Sequence, residues 1–346
     1  MDFRSDNTAG AAPEILDALS RANAGKAAAY GEDGFSRAIE DRIAALFECE
    51  ASVFLMATGT GANSVALAAM TPPWGAVFCH PQAHVHQDEC GAPEFYTGGA
   101  KMIAVADRDG KIAISDIEAV WATLAHGVHN VQPAAISLSQ TAETGRVYRP
   151  DELAGFADFA HRRGLKLHVD GARFANALVH LGCSPAEASW KAGVDILCFG
   201  ASKNGAFAAE AVICFDPHLA DTIAFRRKRG GHLLSKMRFI AAQFEGYLSG
   251  DLWLRNARHA NAMARRLAAG LGDIGGARLA YPTEANEVFV ALPASVIAGL
   301  EADGAQFYRW GGAESTTLRL VCAFDTPPEA VDQFLASARK HAGECG

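Results

Sequence analysis

Lys203 stands in a turn of small residues, Phe199-Gly200-Ala201-Ser202-Lys203-Asn204-Gly205-Ala206, just after the apolar run Ile196-Leu197-Cys198-Phe199. Asp170 ends a second apolar run, Leu165-Lys166-Leu167-His168-Val169, and opens Asp170-Gly171-Ala172-Arg173. An amine at one strand end can form a Schiff base with an aldehyde, and an acid at another can ion-pair with a protonated pyridine nitrogen. At an effective dielectric near 20, such a pair about 4 Å apart is worth on the order of 4 kcal/mol, enough to keep the ring nitrogen protonated. The two residues together suit pyridoxal 5'-phosphate (PLP) and chemistry on amino acids. Taken singly, Asp170 also fits the turn or N-cap role of Asp-Gly at strand ends, and a lysine after a strand is commonly solvated.

Other constellations point the same way. Thr58-Gly59-Thr60-Gly61-Ala62-Asn63 follows a strand pattern and opens a helix, where backbone N–H groups and the positive helix end suit a phosphate. The turn lacks the Gly-Lys-Ser/Thr ending of a Walker loop and the spacing of a GxGxxG fingerprint, and an ordinary tight turn has the same composition. Ala83-His84-Val85-His86-Gln87-Asp88-Glu89 places two imidazoles beside two acids. No third ligand at metal-site spacing accompanies them, so no metal is expected, and a histidine stacked on a cofactor ring is the alternative. Arg173 and Arg319 sit beside strand ends, where a planar fork can clamp an amino-acid carboxylate, although most arginines are solvated. The basic run Arg226-Arg227-Lys228-Arg229 fits a solvated helix face or, through Arg229, a phosphate contact.

The elements that must position these residues alternate. Strand patterns at 52–56, 76–79, 101–105, 134–138, 165–169, 196–199 and 211–215 are separated by helical patterns such as 61–70, 150–163 and 185–192. Strands apolar on both faces predict an α/β fold with a mostly parallel seven-stranded sheet covered by helices. From about residue 223 the texture changes to a long helical stretch, 235–271, then strands at 288–292 and 318–322 and a helix at 328–342. The expected division is a large domain, 1–235, and a smaller C-terminal α+β domain, 236–346. Half of the 346 residues are hydrophobic, enough for a sizeable core, and the net charge is -8 from 31 basic and 39 acidic residues. No basic stripe suggests nucleic acid, and no apolar stretch reaches membrane length. The eight cysteines lack CxxC pairs or regular spacing, which fits a reduced, cytoplasmic setting.

Read in order, Arg-Ser-Asp-Asn-Thr, Ala-Tyr-Gly-Glu-Asp, Thr-Gly-Thr-Gly-Ala-Asn, Ala-His-Val-His, His-Val-Asp-Gly-Ala-Arg and Ser-Lys-Asn-Gly resemble the low-specificity L-threonine aldolases, from Phe3 to about Thr326. That resemblance implies the PLP-dependent transferase type I fold of aspartate aminotransferase. It implies cleavage of L-threonine, L-allo-threonine and related β-hydroxy-α-amino acids such as phenylserine to glycine and an aldehyde. It would make Lys203 the PLP anchor and Asp170 the partner of the ring nitrogen. Gly59, Thr60, Gly61, Ser202 and Arg229 would serve the cofactor, with His84 stacked on its ring. Ser5, Arg173 and Arg319 would hold the substrate carboxylate. His84, or a water held with His129, would act as base. Tyr30 would reach a neighbouring subunit's site, making the active unit a homodimer or homotetramer with shared sites. This sequence has Ser139-Gln140-Thr141 where the family has Glu-Asn-Thr. The rival readings are a β-eliminating lyase or aminotransferase of the same fold, and a non-catalytic binding protein that retains it.

Overall fold

The computed structural model describes residues 1–124 and 126–343. Seven strands form the central sheet: β1 (Ser52–Met56), β2 (Gly75–Cys79), β3 (Lys101–Ala104), β4 (Gln132–Ser139), β5 (Lys166–Gly171), β6 (Ile196–Gly200) and β7 (Glu210–Cys214). Their order is β1-β7-β6-β5-β4-β2-β3, and only β7 runs against the rest. The central strands β2, β6 and β7 are buried at every residue, which is why their sequences are apolar throughout rather than alternating.

The smaller sheet has β8 (Arg278–Leu279), β9 (Glu287–Ala291), β10 (Tyr308–Arg309) and β11 (Thr317–Val321) in the order β8-β9-β11-β10, all antiparallel. Leu267, Val288, Leu320 and Phe334 form its core, and Phe3 joins them from the other end of the chain, its ring 5.2 Å from that of Phe334.

Helix Arg238–Leu248 contributes Ile240, Phe244 and Tyr247 to the core of the large sheet, and the second core takes over only from Ala264, midway along helix Leu252–Gly272. The stretch predicted as one long helix breaks at Ser249–Asp251, where Gly250 and Asp251 adopt φ of 57° and 54°. A helix predicted over 185–192 is instead a series of turns ending in a short 3-10 helix, Trp190–Ala192. There the Ser189 hydroxyl donates to the Pro185 carbonyl at 2.6 Å, the acceptor a helix would give to the Ser189 N–H, which turns to the Ala186 carbonyl at 3.3 Å. The seven described cysteines are free, and Cys345 lies outside the described residues. Among the described residues no helix is long and apolar enough to cross a membrane.

Candidate active site

The carboxyl ends of β1, β2, β4, β5 and β6 share one edge of the sheet, and β7 begins there. Chain direction alone therefore gathers the turns that follow Met56, Cys79, Ser139, Gly171 and Gly200 around one cleft. Lys203, His84, Asp170 and Ala172 join two lobes of that cleft. One contains Gly59, Thr60, Asn63, Ser202 and Glu210; the other contains Ser5, Ser139, Glu143, Arg173, Trp310 and Arg319.

Asp170 sits at the end of β5, and donors hold both its oxygens. The Asn63 amide donates to Oδ2 at 2.9 Å and the Ala172 backbone N–H donates to Oδ1 at 3.0 Å. Burial pushes the Asp170 carboxyl up, but the charges of Lys203 and His84 outweigh it and hold it below its ordinary value. The result is a fixed, ionised acid in a buried place. His84 lines the cleft, its Nδ1 2.8 Å from Glu89 Oε1, and that contact raises the affinity of the ring for a proton. The same Glu89 oxygen accepts from Asn63 at 2.9 Å, so one carboxylate orients both the ring and the Asp170 donor.

The first lobe begins at helix Gly59–Met70. Thr58 caps it, its side chain accepting from the Gly61 amide at 3.1 Å, and the Ala62 amide bonds the Thr58 carbonyl. The amides of Gly59 and Thr60 precede these and have no intrahelical carbonyl to meet, which leaves them for an anion. In the second lobe, Arg173 donates to both Asp6 oxygens, at 2.7 and 3.0 Å, with Glu287 Oε2 3.6 Å from its Nη1. Arg319 donates to Glu287 Oε1 at 2.8 and 3.1 Å. Two arginines thus reach the cleft from a fully buried base of Asp6 and Glu287.

Of the site residues expected from sequence, Ser5, Gly59, Thr60, His84, Asp170, Arg173, Ser202, Lys203 and Arg319 line this cleft. Four stand elsewhere. His129 precedes β4 at the opposite edge of the sheet, separated from Ser139 by an eight-residue strand of roughly 25 Å; it is exposed and does not line the cleft of its own chain. The Gly61 amide is taken by its cap, and this position lacks a side chain for steric reasons: a Cβ would lie 2.5 Å from the His232 ring. Arg229 is exposed and lines a separate depression with Phe95, Tyr96 and Phe225. Its neighbours are not uniformly solvated either, since Arg227 is buried and Lys228 lies 4.2 Å from the Tyr30 ring. Tyr30 is half exposed, with φ 59°, and does not line the cleft of its own chain. His86 is exposed, so the ring facing the cleft is that of His84.

Sequence reasoning missed the buried carboxyls around the site. Glu210 accepts from the Ser202 hydroxyl at 2.6 Å, and burial pushes it up to about 7. Asp6, Glu89, Glu143 and Glu287 were likewise given no role. For Asp6 and Glu89 the only signal was their place inside quoted motifs; Glu287 begins a strand whose partner carries Arg319.

Comparison with known proteins identifies the family of the chain. The model of the beta-eliminating lyase family matches residues 2–295. The chain is 44% identical to a low specificity L-threonine aldolase of Pseudomonas aeruginosa, over 97% of this chain and 96% of that one. It is 41% identical to a second one from a Pseudomonas species, with the same coverage. A solved structure of Leishmania major threonine aldolase superposes with a TM-score of 0.90 at 29% identity, covering 99% of both chains. The architecture is that of the PLP-dependent transferase type I fold expected from sequence. The chain belongs to the beta-eliminating lyase family, among the low-specificity L-threonine aldolases.

Proposed function

We propose that this chain is a PLP-dependent aldolase that cleaves L-threonine, L-allo-threonine and related β-hydroxy-α-amino acids to glycine and an aldehyde. The observation that carries the reading is one cleft holding the Lys203 amine, the Asp170 carboxyl fixed by two donors, and two arginines on a buried base of Asp6 and Glu287. PLP, when bound, supplies an electron-poor ring that accepts the electron pair of a breaking bond at Cα.

The residues present fit that group. Lys203 would hold it covalently, and Asp170 would keep its ring nitrogen protonated. Gly59 and Thr60 would take its phosphate, with Ser202 beside them, and His84 would lie against its ring. Ser5, Arg173 and Arg319 would fix the substrate carboxylate, which orients the Cα–Cβ bond for cleavage. Of the histidines expected near the substrate, His84 is the one in the cleft.

Exposed Tyr30, Phe95 and Phe225, clustered about helix Ala220–Arg229, support a homodimer or homotetramer in which Tyr30 reaches a second copy's cleft. We place the enzyme in the cytoplasm, with a small amino acid as substrate and neither nucleic acid nor membrane as partner. Incubation of the PLP-loaded protein with L-threonine tests the reading. Equal amounts of glycine and acetaldehyde are expected. An oxo acid with ammonia, or conversion only in the presence of an amino acceptor, overturns it in favour of β-elimination or transamination. No turnover at all favours a binding protein.

A further inference from the structure

Glu143 lies in the substrate lobe with Ser5, His84, Ser139 and Arg319, four residues beyond the end of β4, and has no part in the reading above. Its two oxygens differ. Oε1 accepts from the Ser139 hydroxyl at 2.6 Å and from the His84 backbone N–H at 2.9 Å. Oε2 is buried and has no hydrogen-bond partner. A proton on this carboxyl therefore belongs on Oε2, because Oε1 already receives two donors. Burial is the largest influence on the group and raises its affinity for a proton, against the two hydrogen bonds on Oε1. A carboxyl so placed is a stronger base than an exposed one, the direction required of a general base near neutral pH.

We propose that Glu143 is the acid–base residue on the β-carbon side of the substrate, its Oε2 taking the β-hydroxyl proton as the Cα–Cβ bond breaks; this assignment rests on the aldolase reading. The O–H electron pair becomes the second bond of the aldehyde carbonyl, and the Cα–Cβ pair leaves on Cα. The proton passes to Oε2. The balance closes when Glu143 releases that proton to solvent and Cα takes one up, giving glycine. In the reverse direction the same proton goes to the aldehyde oxygen. The hydrogen bond to the His84 amide ties this carboxyl to the turn that carries the ring, so the two groups hold a fixed relation.

The test uses Glu143→Gln, which keeps an acceptor for Ser139 and His84 but takes no proton. Three quantities are read on parent and variant: visible absorption of the PLP-loaded protein, solvent deuterium exchange at Cα of glycine, and glycine release from L-threonine. Glycine has no β-hydroxyl, so its exchange reports the cofactor site without the step assigned to Glu143. The expected result is a fall of about 10²-fold or more in the ratio of cleavage to exchange, with the absorption retained. An unchanged ratio overturns the assignment, whether both rates persist or both fall together as a structural defect would make them. A parent enzyme that exchanges glycine but releases no aldehyde from threonine instead refutes the aldolase reading on which the assignment rests.

Discussion

Asp6→Asn tests the buried base of the carboxylate clamp. Asp6 is 3% exposed and accepts from Arg173 twice and from the Asn286 amide at 3.2 Å. Removing one member of a buried ion pair costs about 3–5 kcal/mol, because the other charge stays buried. Asparagine keeps the shape and one acceptor, and Glu287 remains 3.6 Å from Arg173, so the lower end, about 3 kcal/mol, applies. A chain of 346 residues unfolding with about 2.1 cal/mol/K per residue has an unfolding entropy of about 0.7 kcal/mol/K, so Tm should fall by about 4 °C. The difference has a definite pH dependence. Burial pushes the Asp6 carboxyl up, but Arg173 and Lys203 outweigh it and hold it below its ordinary value. A depressed folded-state pKa contributes stability that is present above the unfolded value near 3.9 and is lost as pH falls through the folded value. Parent and variant should therefore differ at pH 7 and converge in strong acid. The same loss lets Arg173 shift towards Glu287, and a clamp misplaced by about 1 Å costs up to roughly 10²-fold in kcat/KM. Scanning calorimetry at several pH values, with kinetics on L-threonine, reads both. A Tm within about 1 °C of the parent at pH 7, with unaltered kcat/KM, refutes the argument.

Glu89→Gln should move the titration of the His84 imidazole to lower pH, because the Glu89 contact is the largest influence raising it. NMR of the ring protons reads the midpoint, and an unmoved midpoint sinks the idea. Gly171→Ala should destabilise the protein by about 1–3 kcal/mol, since a Cβ there would lie 2.6 Å from the Cys198 carbonyl oxygen. Gly59→Ala, whose Cβ would meet nothing within 4 Å, should leave the stability of the cofactor-free protein nearly unchanged. Comparable losses in urea unfolding of the two variants would contradict this steric reading.

The strands were legible because each is a short apolar run bounded by polar or small residues. Ser52–Met56 is matched at both ends, and Ile196–Phe199 misses only Gly200. Lys203 and Asp170 were legible for a related reason: both follow such runs, and parallel strands deliver their carboxyl ends to one edge. His129 shows the limit of that logic, because a motif match carries no information about which edge of the sheet a turn occupies. The break at Gly250 was hidden by Ala- and Leu-rich flanks whose helical period continues on both sides. Asp6, Glu89, Glu143, Glu210 and Glu287 escaped because a glutamate or aspartate in a sequence reads as surface. Their roles come from long-range pairings, such as Asp6 with Arg173 and Glu287 with Arg319.

Lys203 as the covalent anchor of PLP is the central claim, and one measurement addresses it directly. The PLP-loaded protein is reduced with borohydride, digested, and mapped by mass spectrometry. A phosphopyridoxyl group on the peptide containing Lys203, absent from Lys203→Ala, is the predicted result. A label on another lysine, or none on a protein that still cleaves threonine, would contradict the account.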